Sequence, residues 1–161
     1  MDEELAKNVL LQYLQTVEKE EITEEDIDIE SYDNYGLTVL SIGRREYAIG
    51  DDEDADSAAL ENIKDLAWAF NADFVAGFIG DYDLVPAIQA LNEKCEDGNK
   101  GMLSMIKLGG TIEEFADEAI SADGRGHFLS GYDGEEIEFR YYNFEKGRWV
   151  YEDTYYIYRI N

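Results

Sequence analysis

The stretch IDIESYDNYGLTVLSIGRREYAIG, residues 27–50, decides how the chain is read. It contains three short runs rich in apolar and β-branched residues, at 27–32, 37–42 and 45–49. Between them stand Asp33-Asn34-Tyr35-Gly36 and Gly43-Arg44-Arg45, which carry turn chemistry. Runs of strand length separated by such turns predict a small antiparallel meander.

The period changes on both sides of this stretch. Leu5, Val9, Leu10, Tyr13, Leu14 and Val17 recur at helical spacing, so residues 2–18 read as an amphipathic helix. Asp2, Glu3 and Glu4 suit its N-terminal dipole. An acidic connector, Glu18 to Asp26, leads into the meander. After it, Asp51 to Asp56 can cap a helix whose apolar face is Ala59, Leu60, Ile63, Leu66, Ala67 and Phe70. Shorter helices are expected at 73–79, 84–96, 99–107 and 111–120, the last with a Thr111/Glu114 capping box. A Gly-rich loop precedes a terminal hairpin, 137–144 and 149–160, turning at Glu145-Lys146-Gly147-Arg148. The expected fold class is α+β: an N-terminal helix, a small antiparallel meander, a helical middle segment and a C-terminal β-hairpin in one domain over 1–161.

The chain has 38 Asp and Glu against 13 Lys and Arg, a net charge of −25, yet 45% hydrophobic residues and 13% aromatics. That apolar content suffices for a core and argues against intrinsic disorder. The charge argues against direct nucleic-acid binding, which needs cations for phosphates, and against anionic membranes. No apolar run approaches the ~20 residues of a membrane span. Met1-Asp2-Glu3-Glu4 is acidic where a signal peptide would be basic, and Cys95 is the only cysteine, so a soluble intracellular protein is expected.

Catalytic templates are missing. There is no GxxxxGK[ST] loop, no GxSxG elbow and, with His127 the only histidine, no HExxH. Gly124-Arg125-Gly126 begins a GxGxxG pattern, but Leu129 occupies the third glycine's place. Cys95 and His127 form the only Cys–His combination, and Cys95 falls on an expected helix between Lys94 and Glu96. EF-hand spacing fails at Ala55 and Asp56 after Asp51, and at Leu84 to Pro86 after Asp81. The expectation is a protein without catalytic residues, cofactor or metal.

Two features remain. The first is the acidity, which is concentrated early: net −14 over residues 1–60, −9 over 61–123 and −2 over 124–161. Duplex DNA carries one charge per ~1.7 Å, so 25 charges match roughly 42 Å, close to the ~40 Å span of a compact chain of this length. Solubility needs only about 2–8 charges, and the excess destabilises the fold by self-repulsion. A partner with a basic groove accounts for it. Glu20, Glu21, Glu24, Glu25 and Asp26 in the connector, with Asp51, Asp52, Glu53, Asp54 and Asp56 before the long helix, are the candidate partner-binding residues.

The second feature is the loop DGRGHFLSGYDGEE, residues 123–136. One reading is a ligand or ion-pair site in which Arg125 and His127 face Asp123 and Asp133, with Tyr132 beside them. The other is a structural loop whose glycines take positive φ while Phe128, Leu129 and Tyr132 fill the core.

EYAIG at 46–50 running on to IKDLAWAFN at 63–71, together with residues 122–136 and the ending YYIYR at 155–159, resembles a widespread family of small acidic, functionally uncharacterised proteins of tailed bacteriophages. The resemblance implies a phage gene acting in the host bacterial cytoplasm and supplies no catalytic residues. Size and charge are also similar to those of antirestriction proteins that mimic DNA, a likeness of composition alone. The functional expectation is a non-enzymatic DNA mimic occupying the basic groove of a host nucleic-acid-binding protein, with restriction or CRISPR machinery the natural target. The alternatives are a module that sequesters a small molecule or nucleotide at 123–136, and a virion-assembly protein. Aromatics on the terminal hairpin also offer a homodimer face.

Overall fold

The computed structural model describes residues 1–161. The chain forms two compact units, one of residues 1–59 with 124–161 and one of residues 60–123.

The first unit is α+β. Helix α1 (Glu3–Thr16) is capped by Asp2, whose carboxylate accepts from the Glu4 and Leu5 amides. Strands β1 (Asp28–Asn34), β2 (Leu37–Ile42) and β3 (Arg45–Gly50) form the meander expected from residues 27–50. Its first turn has Tyr35 and Gly36 both at positive φ, the geometry that a two-residue hairpin needs. The terminal hairpin, β4 (Ile137–Glu145) and β5 (Arg148–Arg159), turns in the same way, with Lys146 and Gly147 at positive φ.

The two halves join through β3 and β5, giving a five-stranded antiparallel sheet of order β1-β2-β3-β5-β4. Alternation sends Leu40, Ile42, Tyr47, Ile49, Phe139, Tyr141, Tyr155 and Ile157 to one face, where they share a core with Val9, Leu10, Tyr13 and Leu14 of α1. Burial there raises the Tyr13 and Tyr47 hydroxyl pKa values. Leu37, Val39, Ala48 and Tyr158 are buried on the opposite face.

Helix α2 (Asp52–Asp65) belongs to the first unit up to Ala59 and to the second from Leu60. The second unit is helical: α3 (Ala72–Ile79), α4 (Val85–Asn92), α5 (Asn99–Ile106) and α6 (Ile112–Asp123). Phe115 is fully buried, with the rings of Phe70, Phe74 and Phe78 centred 4.9, 5.5 and 5.2 Å away. The Thr111/Glu114 capping box is formed in both directions. Asn92 donates to the carbonyls of Trp68 and Phe70, and Asn99 joins the Trp68 amide to the Lys64 carbonyl.

Three expectations are corrected. Helix α2 stops at Asp65, and Leu66, expected on its apolar face, is exposed. The helix expected over 84–96 ends at Asn92, because Cys95 takes a φ of +52° and opens a 3-10 turn through Gly98. The segment 123–136 is not all loop, since Arg125–Leu129 forms a short helix, α7. No helix is long and apolar enough to cross a membrane.

Candidate functional site

Arg125 organises the 123–136 segment. Its side chain is only 11% exposed. Nε and Nη2 donate to the two carboxylate oxygens of Glu136, at 2.8 and 3.1 Å, a bidentate pair. Nη1 donates to Asp52 and Asp56 in the first turns of α2, both at 2.8 Å. The guanidinium carbon lies 4.3 Å from the centre of the Tyr156 ring. The Tyr158 hydroxyl donates to Glu136 at 2.5 Å, and burial followed by this bond raises its pKa.

The glycines follow from the same geometry. Gly124 takes a φ of +79° as α7 begins. A Cβ on Gly126 would lie 2.4 Å from the Gly134 carbonyl oxygen, so the chain passes too close for any side chain. The Ser130 hydroxyl donates at 2.7 Å to Asp133, whose carboxyl is held below its usual range mainly by that bond.

The ligand-site reading, in which Arg125 and His127 face Asp123 and Asp133, therefore does not hold for Arg125. Arg125 turns to Asp52, Asp56 and Glu136 instead, because the fold brings all three carboxylates within 2.8 Å of its nitrogens. His127 is exposed, with its ring edge-on to Phe128, and Asp123 is exposed at the end of α6. Tyr132 is 59% exposed rather than filling the core, its ring 3.6 Å from the Arg159 guanidinium carbon. Leu129 is buried as the structural reading required. Glu136, which carries the clasp, was one carboxylate among many in the sequence and had no distinguishing spacing.

The acidic clusters divide into carboxylates that hold the fold and carboxylates that do not. Glu20 pairs with both terminal nitrogens of Arg45 at 2.6 Å, and these bonds lower its pKa. Asp26 accepts from the Thr23 amide and hydroxyl, which lowers its pKa as well. Asp51 and Asp54 exchange bonds with each other's amides at the start of α2, and Asp54 also accepts from the N-terminal ammonium. Glu24 has only Lys7, at 4.0 Å. Glu21, Glu25 and Glu53 are exposed and have no cation in reach.

The two clusters lie at opposite ends of β3. Glu20 holds Arg45 at its start and Asp51 follows Gly50 at its end, a separation of roughly 20 Å at ~3.3 Å per residue. Across the whole chain, seven of the 38 carboxylates have an ion-pair partner: Glu20, Glu24, Asp52, Asp54, Asp56, Glu61 and Glu136. No group of three or more His, Cys, Asp or Glu side chains is arranged to hold a metal ion.

An open groove of about 690 Å³ lies between α1 and the outer half of the β4–β5 hairpin, lined by Leu11, Gln12, Tyr141, Tyr142, Phe144 and Trp149 among others. Gln12 spans it, donating to the Tyr142 carbonyl at 2.8 Å and accepting from the Tyr142 amide at 3.0 Å. No protein-family model matches the chain, and no curated protein or solved structure matches it.

Proposed function

We infer that this chain is a non-enzymatic acidic decoy, phage-encoded and acting in the bacterial cytoplasm, that offers carboxylates to the basic groove of a host nucleic-acid-binding protein. The observation that carries this reading is the ion-pair census: 31 of the 38 carboxylates lack a cation in their own chain. Such charge weakens the fold by self-repulsion, so a basic partner is where it gains energy. The separation of about 20 Å between the clusters spans roughly six phosphates along one DNA strand, at ~3.4 Å each.

The contacts should lie on Glu21, Glu25 and Glu53, which have no ion pair, and on Glu24, which has only Lys7 at 4.0 Å, since their neighbours are committed to caps and closer ion pairs. Complementary fields would speed association and make it sensitive to salt. The reading that places a ligand at 123–136 draws no support from Arg125, whose donors are already engaged within the chain.

The test is capture from bacterial lysate by tagged protein, eluted by salt and then by duplex DNA. Recovery of a DNA-binding complex that DNA displaces, and that the E21Q/E24Q/E25Q/E53Q variant fails to hold, is the expected result. A complex retained unchanged by that variant, or no complex from hosts of related phages, would sink the reading.

A further inference from the structure

We propose that the outer half of the β4–β5 hairpin docks a second copy of this chain, face to face about a two-fold axis. Tyr142 opposes Tyr151 and Phe144 opposes Trp149 in the strand register, so four rings form a ladder on one face. Each cross-strand pair meets edge to face, with centres 5.8 and 5.2 Å apart. The rings are 37, 51, 62 and 65% exposed for Tyr142, Tyr151, Phe144 and Trp149.

At about 150–250 Å² per aromatic side chain, they leave roughly 400 Å² of ring surface in water. That lies within the ~300–600 Å² of the largest, often functional, patch on a typical monomer, and is about half of the ~800 Å² that each partner contributes to a standard interface. Trp and Tyr are also the residues in which binding energy concentrates.

Charge selects the occupant. Residues 137–159 hold four acids (Glu138, Glu145, Glu152, Asp153) and four bases (Arg140, Lys146, Arg148, Arg159), so the hairpin is neutral and the whole net charge of −25 lies elsewhere. A basic partner is drawn to those other surfaces. Another copy of the chain is repelled by them and meets no net repulsion at the hairpin alone. With a Debye length of about 8 Å at physiological salt, acidic bodies held apart by their hairpins are largely screened from each other.

Geometry selects the mode. β4 is an edge strand, but the Gln12 carboxamide occupies both backbone groups that Tyr142 turns outward, which blocks edge-to-edge strand pairing at that point. The ladder rings stay exposed, and Tyr142, Phe144 and Trp149 also border the groove beside α1. Beside the ladder lies a hollow of about 420 Å³ lined by Glu138, Arg140, Tyr142, Tyr151 and Thr154. A two-fold axis through the ladder sets the rings of one copy against those of the other, the self-complementarity that an isologous contact requires.

The experiment is sedimentation equilibrium on the full chain from ~1 to ~200 µM, at low and high salt. The expected mass rises to twice 18.4 kDa. Association tightens between about 0.05 and 0.5 M NaCl as repulsion between the acidic bodies is screened, the opposite of the salt response of a basic partner. F144S/W149S should weaken association at least about a hundredfold, in line with loss of two hot-spot side chains. R140E/R148E keeps the rings, gives the hairpin a charge of −4 and should weaken it at least about tenfold; it decides the matter if the first variant loses its far-UV dichroism. A wild type of 18.4 kDa at the highest concentration and salt overturns the proposal. So does a dimer that either folded variant leaves intact.

Discussion

Replacing Arg125 by alanine tests whether the 123–136 segment is a clasp or a binding site. The loss has three parts. The bidentate pair with half-buried Glu136 consists of hydrogen bonds between charged groups, worth about 1.5–3 kcal/mol. The contact with the Tyr156 ring adds about 1 kcal/mol. Asp52 and Asp56 are 69 and 66% exposed and rehydrate easily, so each contributes no more than about 0.5 kcal/mol. The sum is about 2.5–5 kcal/mol. For a chain of this size, at about 2–4 °C per kcal/mol, that corresponds to a fall in Tm of about 5–20 °C. Thermal unfolding followed by far-UV circular dichroism reads it directly. His127→Ala is the control: the imidazole is exposed, so its removal should stay within about 0.5 kcal/mol. If Arg125→Ala shifted Tm by less than about 2 °C, or His127→Ala shifted it as much, the clasp argument would be refuted.

Gly126→Ala should cost about 3 kcal/mol or more, because the new methyl meets the Gly134 carbonyl and the Glu135 backbone, neither of which is the end of a flexible side chain; an unchanged urea midpoint would contradict this. Glu20→Gln should show a stability deficit that depends on pH. The Glu20 pKa is lowered in the folded chain by its bonds to Arg45, so its contribution is present above the unfolded value of about 4.3 and is lost as pH falls through the folded value. Urea titrations at neutral and at acid pH should find the wild-type advantage at the former and not at the latter, and a constant deficit would refute the assignment.

The local elements were legible in the sequence because their signals are local. Turn residues separated by apolar runs gave β1, β2 and β3, and Lys146-Gly147 gave the hairpin turn. Thr111 and Glu114 marked the start of α6. What was not legible depends on distance along the chain. The pairing of β3 with β5 joins Tyr47 to Arg159, and no pattern in either strand names the other. Arg125 offered the same difficulty: Asp123 and Asp133 were near it in sequence, whereas the carboxylates it binds include two from α2. Cys95 broke a helix whose apolar period ran straight through it, since periodicity carries no information about a single residue at positive φ. The division of acidic residues into caps and free charges could not be read either, because every Asp and Glu looks alike until its hydrogen bonds are drawn.

The sheet has a further consequence for how the protein is made. β3 is complete at residue 50, but its neighbour β5 ends at residue 159, so the ribosome releases the last strand long after the first three. During that interval the β3 edge has no partner and is a template for aggregation. The part of the chain made before β5, residues 1–147, carries a charge of −25. Nascent copies on one messenger therefore repel one another during the interval in which they are most prone to stick, and the strand that closes the edge belongs to the segment that brings almost no charge of its own.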